Sequence, residues 1–233
     1  MTHGSDIGRR APSVSPNRLK LTVVNLLLLS WGAGALPRFL AEHTGKAPAE
    51  IRLGYLNDAM LPYEDAEFTE IDRYRLIDFG YAPETITARD IPSATAFAEI
   101  LDGLDALYVC GGETFVLLDN LRRDGLADVL VEKVRAGLPY IGLSAGAVIA
   151  GASIEPVSTM DDPATAPDLT DYRGLEFVDT SIIPHADGRI ELFPPELIAE
   201  TVRIYAPRFD LTLLHDDQAL LVNDDATVLV ESR

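Results

Sequence analysis

The sequence predicts an α/β fold: a doubly wound, mainly parallel sheet flanked by helices, with an antiparallel meander at the C-terminal end. Three observations predict it. From Leu21 onward, short apolar runs of strand length alternate with longer amphipathic segments, the rhythm of strand–helix–strand units and so of parallel pairing. Two apolar runs end in glycine turns that open helix-compatible segments, at Gly111-Gly112 and at Gly142-Leu143-Ser144-Ala145-Gly146. After Gly151 the rhythm stops, and the chain ends in three short apolar runs separated by His215-Asp216-Asp217 and Asn223-Asp224-Asp225, as in a meander with polar turns.

Taken in order, residues 1–20 read as a disordered polar tail and residues 21–233 as a single domain. Leu21–Leu29 is the first buried strand and Pro37–His43 the helix after it. Ile51–Leu56 is the second strand. Phe68, Ile71, Tyr74 and Ile77 recur at about helical spacing between Tyr63 and Phe79, and Gly80 ends that helix. Tyr81–Thr87 is extended, with Pro83 placing it near a sheet edge. Ser93 caps a helix carrying Ala94, Phe97 and Leu101. Ala106–Cys110 is a strand, Thr114–Leu121 a helix, and Leu126, Leu130 and Val134 mark another helix, stopped by Gly137 and Pro139. Tyr140–Leu143 is the strand that delivers Ser144, and Ala147–Ala150 continues as helix. Ser153–Arg173 is polar and proline-punctuated, a long loop of the kind that serves function or stays unstructured. Leu175–Phe177 and Ser181–Pro184 read as short strands, Pro194-Pro195 starts a helix reaching Tyr205, and Leu211–Leu214, Gln218–Val222 and Thr227–Glu231 form the meander.

The first residues admit a second reading. Arg9, Arg10, Arg18 and Lys20 precede the mostly apolar Leu21–Ser30, which resembles a signal peptide. The strand is preferred, because Asn25 interrupts the run and its removal would delete an element the pattern requires.

With 233 residues and 47% hydrophobic residues the chain can build a full core. Its 37 acidic residues against 19 Lys and Arg give a net charge of −18, which supplies no cationic footprint for nucleic acid. No apolar run approaches the ~20 residues of a membrane span. One cysteine, Cys110, excludes an intrachain disulfide, and the sequence holds no Cys/His cluster for a structural zinc. The expectation is a cytoplasmic protein without metal or cofactor, for which a homodimer stays open.

Gly142-Leu143-Ser144-Ala145-Gly146 fits a nucleophile elbow, in which a tight strand-to-helix turn lifts a serine hydroxyl above the sheet. Glycines two residues either side of Ser144 remove side chains that would clash, and the Ala145 N–H points where an oxyanion would form. The plain alternative is a glycine-rich turn that contains a serine, and the pentapeptide alone does not decide. A serine nucleophile needs a base and a carboxylate that orients it. Of four histidines, only His185, in Ile183-Pro184-His185, ends an apolar run downstream of the elbow. For the acid, Asp161 and Asp162 lie in the loop after the elbow, while Asp187 is close enough to His185 to serve local turn bonding instead. Gly111-Gly112 lets a backbone approach a substrate closely, or simply caps a helix. Cys110 reads as a small buried residue.

Cys110-Gly111-Gly112-Glu113-Thr114-Phe115, Gly142–Ala147 and Ile183-Pro184-His185, in that order, resemble peptidase family S51, the dipeptidase E and cyanophycinase group. The resemblance implies a fold similar to class I glutamine amidotransferases and a serine peptidase acting on short peptides. Ser144 would be nucleophile, His185 base, Asp161 or Asp162 the acid, and Gly112 and Ala145 the oxyanion donors. The family's triad acid also varies in position, and two features bear on substrate. Glu113 stands where the family often has asparagine or another polar residue, and a carboxylate there would alter substrate preference. Dipeptidase E reads an N-terminal aspartate through an arginine after the histidine, and here Arg189 is the candidate, with Arg203 further on. Two other readings compete. An α/β-hydrolase esterase fits the elbow, but the span from Ser144 to His185 leaves little room for its usual strand–helix units. A binding module with an inactive pocket is the other.

Overall fold

The structure, a computed structural model, describes residues 24–63, 67–223 and 226–233. The expected tail at residues 1–20, the start of the Leu21–Leu29 strand and the Asp224-Asp225 turn lie outside the described residues.

Nine strands and seven α-helices are described. Leu26–Leu29 (β1) is four leucines, each with no exposed surface. At roughly 1.5–3 kcal/mol per fully buried leucine, this tetrad is worth burying on both faces, and the run takes a central place. Leu36–Thr44 (α1) follows, then Leu53–Leu56 (β2), Ile71–Asp78 (α2) and Glu84–Ile86 (β3). Ser93 Oγ accepts from the Ala96 N–H at 3.2 Å and caps Ala94–Asp102 (α3). Ala106–Val109 (β4), Thr114–Arg122 (α4), Leu126–Arg135 (α5), Tyr140–Leu143 (β5) and Ala145–Ala150 (α6) complete the repeating part. Ser181–Ile183 (β6), Pro195–Tyr205 (α7), Leu211–Leu213 (β7), Gln218–Asn223 (β8) and Ala226–Glu231 (β9) end the chain.

The main sheet has seven strands in the order β3-β2-β4-β5-β1-β8-β9. The five from β3 to β1 are parallel, as the alternating pattern predicts, and β8 and β9 add antiparallel at one edge. Four strands, β1, β2, β4 and β5, are buried at every position, the signature of a sheet covered on both faces.

Three expectations change. The segment between Tyr63 and Ile71 is not one helix with the rest: among its described residues 3₁₀ turns precede α2. Leu175–Phe177 is not a strand. Its N–H groups donate to the last carbonyls of α6, Leu175 to Ile149 O at 2.6 Å and Phe177 to Ala150 O at 3.0 Å, so its apolar character comes from packing under that helix end. Leu211–Leu213 leaves the meander. It pairs parallel with β6 in a separate two-stranded sheet, so the antiparallel part at the end is β8–β9 laid on β1. The Ser153–Arg173 loop is closed at its base by an antiparallel bridge between those two residues.

Candidate active site

The site gathers where β1, β4 and β5 end. At the end of β5 the chain turns through Ser144 with φ 46° and ψ −106°, a conformation unfavourable for a residue with a side chain. The glycines make the turn feasible. A Cβ on Gly142 would sit 2.4 Å from Gly146 O, and one on Gly146 would sit 2.4 Å from Val109 O. Both are backbone clashes that a side chain could not relieve. The Ser144 N–H donates to Leu29 O at 3.0 Å, tying the turn to β1.

Ser144 Oγ lies 3.0 Å from His185 Nε2, and His185 Nδ1 lies 2.7 Å from Asp216 Oδ1. His185 is buried, 2% exposed as a residue. Phe193 stacks on it with ring centroids 4.8 Å apart, and Trp31 meets it edge-on at 6.4 Å. Packing of this kind fixes the ring plane, so the two nitrogens keep their separate partners. With Asp216 accepting from Nδ1–H, Nε2 is left bare toward the serine hydroxyl. Burial works to raise the Asp216 carboxyl, and the hydrogen bond and charge of His185 outweigh it, so its pKa is lowered. A hydroxyl, an imidazole and a carboxylate in this order can pass the serine proton to nitrogen and stabilise the imidazolium that forms.

The turn after β4 faces Ser144. A Cβ on Gly111 would lie 3.3 Å from Ser144 Cβ. Gly112 has φ +124°, and a Cβ there would sit 2.3 Å from Ala59 O, so no side chain fits in either respect. Neighbouring N–H groups are occupied: Cys110 donates to Leu56 O, Glu113 to Ala59 O and Thr114 to Asp161 Oδ2. Among the described residues the N–H groups of Gly112 and Ala145 have no hydrogen-bond partner. Two unused backbone donors beside a serine hydroxyl are what an oxyanion requires.

The sequence candidates thus separate. Ser144 and His185 come together, with Gly112 and Ala145 beside them. Asp161 and Asp162, the expected acids, do not bond the imidazole. Asp161 accepts from Thr114 N at 3.2 Å and Thr114 Oγ1 at 2.5 Å, at the start of α4. Asp162 accepts from Ala164 N at 2.9 Å and caps the Pro163–Thr165 turn. Asp216 takes the place beside His185, a residue that the sequence presents only as part of a polar turn. Asp187 does not bond within its own turn as expected: its Oδ1 accepts the N–H of the distant Asp216 at 3.3 Å.

Glu113, 7% exposed, has Tyr63 Oη at 3.4 Å and Thr165 Oγ1 at 3.3 Å. Burial first, and then the charge of Asp161, push its pKa up to about 7. Burial likewise raises Asp161. Arg189 pairs with Asp187 at 2.9 Å and approaches Asp217 at 3.8 Å. It lines a cavity of about 660 Å³ with Trp31, Asp216, Asp217 and Arg233. Asp187, His215 and Asp217 could hold a cation within ligand distance, and the Arg189 guanidinium already lies on two of them. No described helix is long and apolar enough to cross a membrane.

Residues 33–230 match the model of peptidase family S51. Among curated relatives, an uncharacterised peptidase of Pasteurella multocida is 36% identical over 141 residues, 59% of this chain and 66% of its own. An uncharacterised peptidase of Listeria monocytogenes is 47% identical over 118 residues, 51% of this chain and 56% of its own. Peptidase E of Streptomyces coelicolor is 37% identical over 166 residues, 70% of this chain and 64% of its own. The matches to these three therefore span between 56% and 66% of the relatives' length. A crystal structure of a Listeria monocytogenes protein, provisionally assigned as a peptidase E, superposes with a TM-score of 0.78 at 27% identity, covering 90% of this chain and 98% of that one. A peptidase from an acI-B1 actinobacterium shares the fold, with a TM-score of 0.62 at 20% identity, over 90% of this chain and 88% of that one.

Proposed function

The chain belongs to peptidase family S51, and on that premise we propose that it is a serine peptidase of the dipeptidase type, acting on short peptides in the cytoplasm. The observation that carries the proposal is the continuous relay Ser144 Oγ–His185 Nε2 and His185 Nδ1–Asp216. Ser144 attacks the scissile carbonyl as His185 takes its proton. The N–H groups of Gly112 and Ala145 hold the oxyanion. His185 then protonates the leaving amine, and water repeats the sequence on the acyl-enzyme. Asp216, in place of Asp161 or Asp162, keeps the imidazole in the tautomer that accepts from serine.

Substrate selection rests on charge. Glu113 adjoins the Gly112 donor, with Asp161 nearby, so this side of the site suits a cationic substrate side chain such as lysine. Arg189 is the candidate for a substrate carboxylate. Its side chain is 64% exposed and only one of its two acids is within hydrogen-bond distance, which leaves donors for a bidentate contact.

A fluorophosphonate probe tests the nucleophile. Wild type is labelled and Ser144→Ala is not; equal labelling of the two, or of neither, rejects the assignment. A panel of Lys-Xaa, Asp-Xaa and neutral dipeptides then ranks the substrate classes.

A further inference from the structure

We propose that Ser30 is a positioning residue of this site, an inference that rests on the peptidase reading above. Its hydroxyl holds the His185 backbone and the Asp216 turn in the alignment that proton transfer at Ser144 needs.

The end of β1 touches all three members of the relay. Leu29 O accepts the Ser144 N–H. Ser30 Oγ accepts the His185 N–H at 2.8 Å. Its one proton lies within reach of Leu214 O at 3.3 Å and Asp216 Oδ1 at 3.5 Å. The Ser30 N–H donates to Gln218 O at 3.3 Å and the Gly32 N–H to Asp216 O at 2.7 Å. Ser30 has no exposed surface, so water does not replace its hydroxyl cheaply.

His185 gives the contact its importance. It lies beyond the last β6–β7 pair, Ile183 with Leu213, and has φ +58°, a left-handed conformation that a residue with a Cβ adopts only when surroundings enforce it. Among the described residues, the bond to Ser30 Oγ is the one its N–H makes. Without that acceptor a buried donor is stranded, and the chain at His185 relaxes toward ordinary φ. The imidazole then moves relative to both Ser144 Oγ and Asp216 Oδ1, which sit at 3.0 and 2.7 Å. Displacements of about 1 Å cost a site of this kind up to about a hundredfold.

The test compares wild type, Ser30→Ala and Ser30→Cys by three readouts: the rate constant of fluorophosphonate labelling, kcat and KM on a cleaved dipeptide, and the downfield proton NMR signal of His185 Nδ1–H. Ser30→Ala should slow labelling and kcat by about ten- to a hundredfold, leave KM within about twofold, and shift or broaden the Nδ1–H signal. Ser30→Cys keeps a similar volume with a weak acceptor and should fall between. In an Asp216→Asn background, Ser30→Ala should cost little more, because both changes break the same alignment. Unchanged labelling and an unshifted signal in Ser30→Ala, or full additivity with Asp216→Asn, overturns the inference. If Ser30→Ala does not fold, Ser30→Cys decides by the same criteria. If wild type is not labelled at all, the peptidase reading fails, and the NMR comparison still judges Ser30.

Discussion

Asp216→Asn is the most informative substitution. The His185 Nδ1–Asp216 Oδ1 distance is 2.7 Å and the two side chains are 3% and 10% exposed. The substitution keeps shape and removes charge. When His185 takes the serine proton it becomes a cation, and a carboxylate whose charge centre lies ~4 Å away stabilises it by about 4 kcal/mol at an effective dielectric constant of about 20. At about 1.4 kcal/mol per tenfold, that is a factor of about 10³. The amide adds a second loss. Turned with its NH₂ toward Nδ1 it favours the tautomer protonated on Nε2, which cannot accept from Ser144 Oγ, and the combined loss reaches about 10⁴. We expect kcat/KM on a cleaved dipeptide to fall by about 10³ to 10⁴, with KM nearly constant and fluorophosphonate labelling slowed in parallel. Two controls share the assay. Asp162→Asn, which keeps an amide oxygen to cap its turn, should stay within about twofold, and Asp161→Asn, which keeps an acceptor oxygen for Thr114, within about tenfold. An Asp216→Asn enzyme within tenfold of wild type, or an Asp161→Asn enzyme equally damaged, refutes the relay drawn through Asp216.

Three further outcomes follow from the same geometry. Gly112→Ala forces a Cβ to 2.3 Å from Ala59 O at φ +124°; labelling should drop at least about a hundredfold while circular dichroism shows a folded chain, and an active Ala variant removes Gly112 from the oxyanion site. Glu113, raised to about 7 mainly by burial, is neutral at pH 6 and charged at pH 8, so the preference for Lys-Xaa over an uncharged isostere should grow across that interval in wild type and stay flat in Glu113→Gln; parallel pH profiles in both proteins disprove the role. Asp72 on α2 is raised to about 6 by burial, against the opposing charge of Arg75. A raised folded-state pKa favours the native state at low pH, and that advantage is lost as pH rises through about 6. Urea unfolding of Asp72→Asn against wild type should therefore show the variant gaining up to about 3 kcal/mol between pH 3 and pH 7, whereas a difference independent of pH rejects the assignment.

The parallel core was legible because its signals are local. Four leucines in β1 and the buried runs of β2, β4 and β5 cannot face water, and glycines mark where the chain reverses. Ser144 and His185 were legible for the same reason, one through Gly142 and Gly146, the other through an apolar run ending in Pro184. Pairing partners are a different kind of information. Leu211–Leu213 has the composition of a meander strand, and nothing in those three residues says that they bond to Ser181–Ile183 instead of Gln218–Asn223. Leu175–Phe177 is apolar for a reason unrelated to strand formation, since it covers the end of α6.

Asp216 is not legible in the sequence, because sheet order places it. In a parallel strand the carboxyl end meets the site, so residues that follow apolar runs attract notice, and both Ser144 and Gly112 follow one. β8 runs the other way, and what it brings to that edge is the residues before its start. The register makes this concrete. Leu29 pairs with Leu143 on one side and with Ala219 on the other. Ser144, one step beyond Leu143, and Asp216, three before Ala219, therefore project past the same end of β1 from opposite sides, and His185 bridges them. A carboxylate ahead of an antiparallel strand is thus as well placed as one behind a parallel strand, but only after β8 is known to lie on β1. The loop acids Asp161 and Asp162 follow the elbow in sequence, and their chain was already committed to Thr114 and to the Pro163 turn.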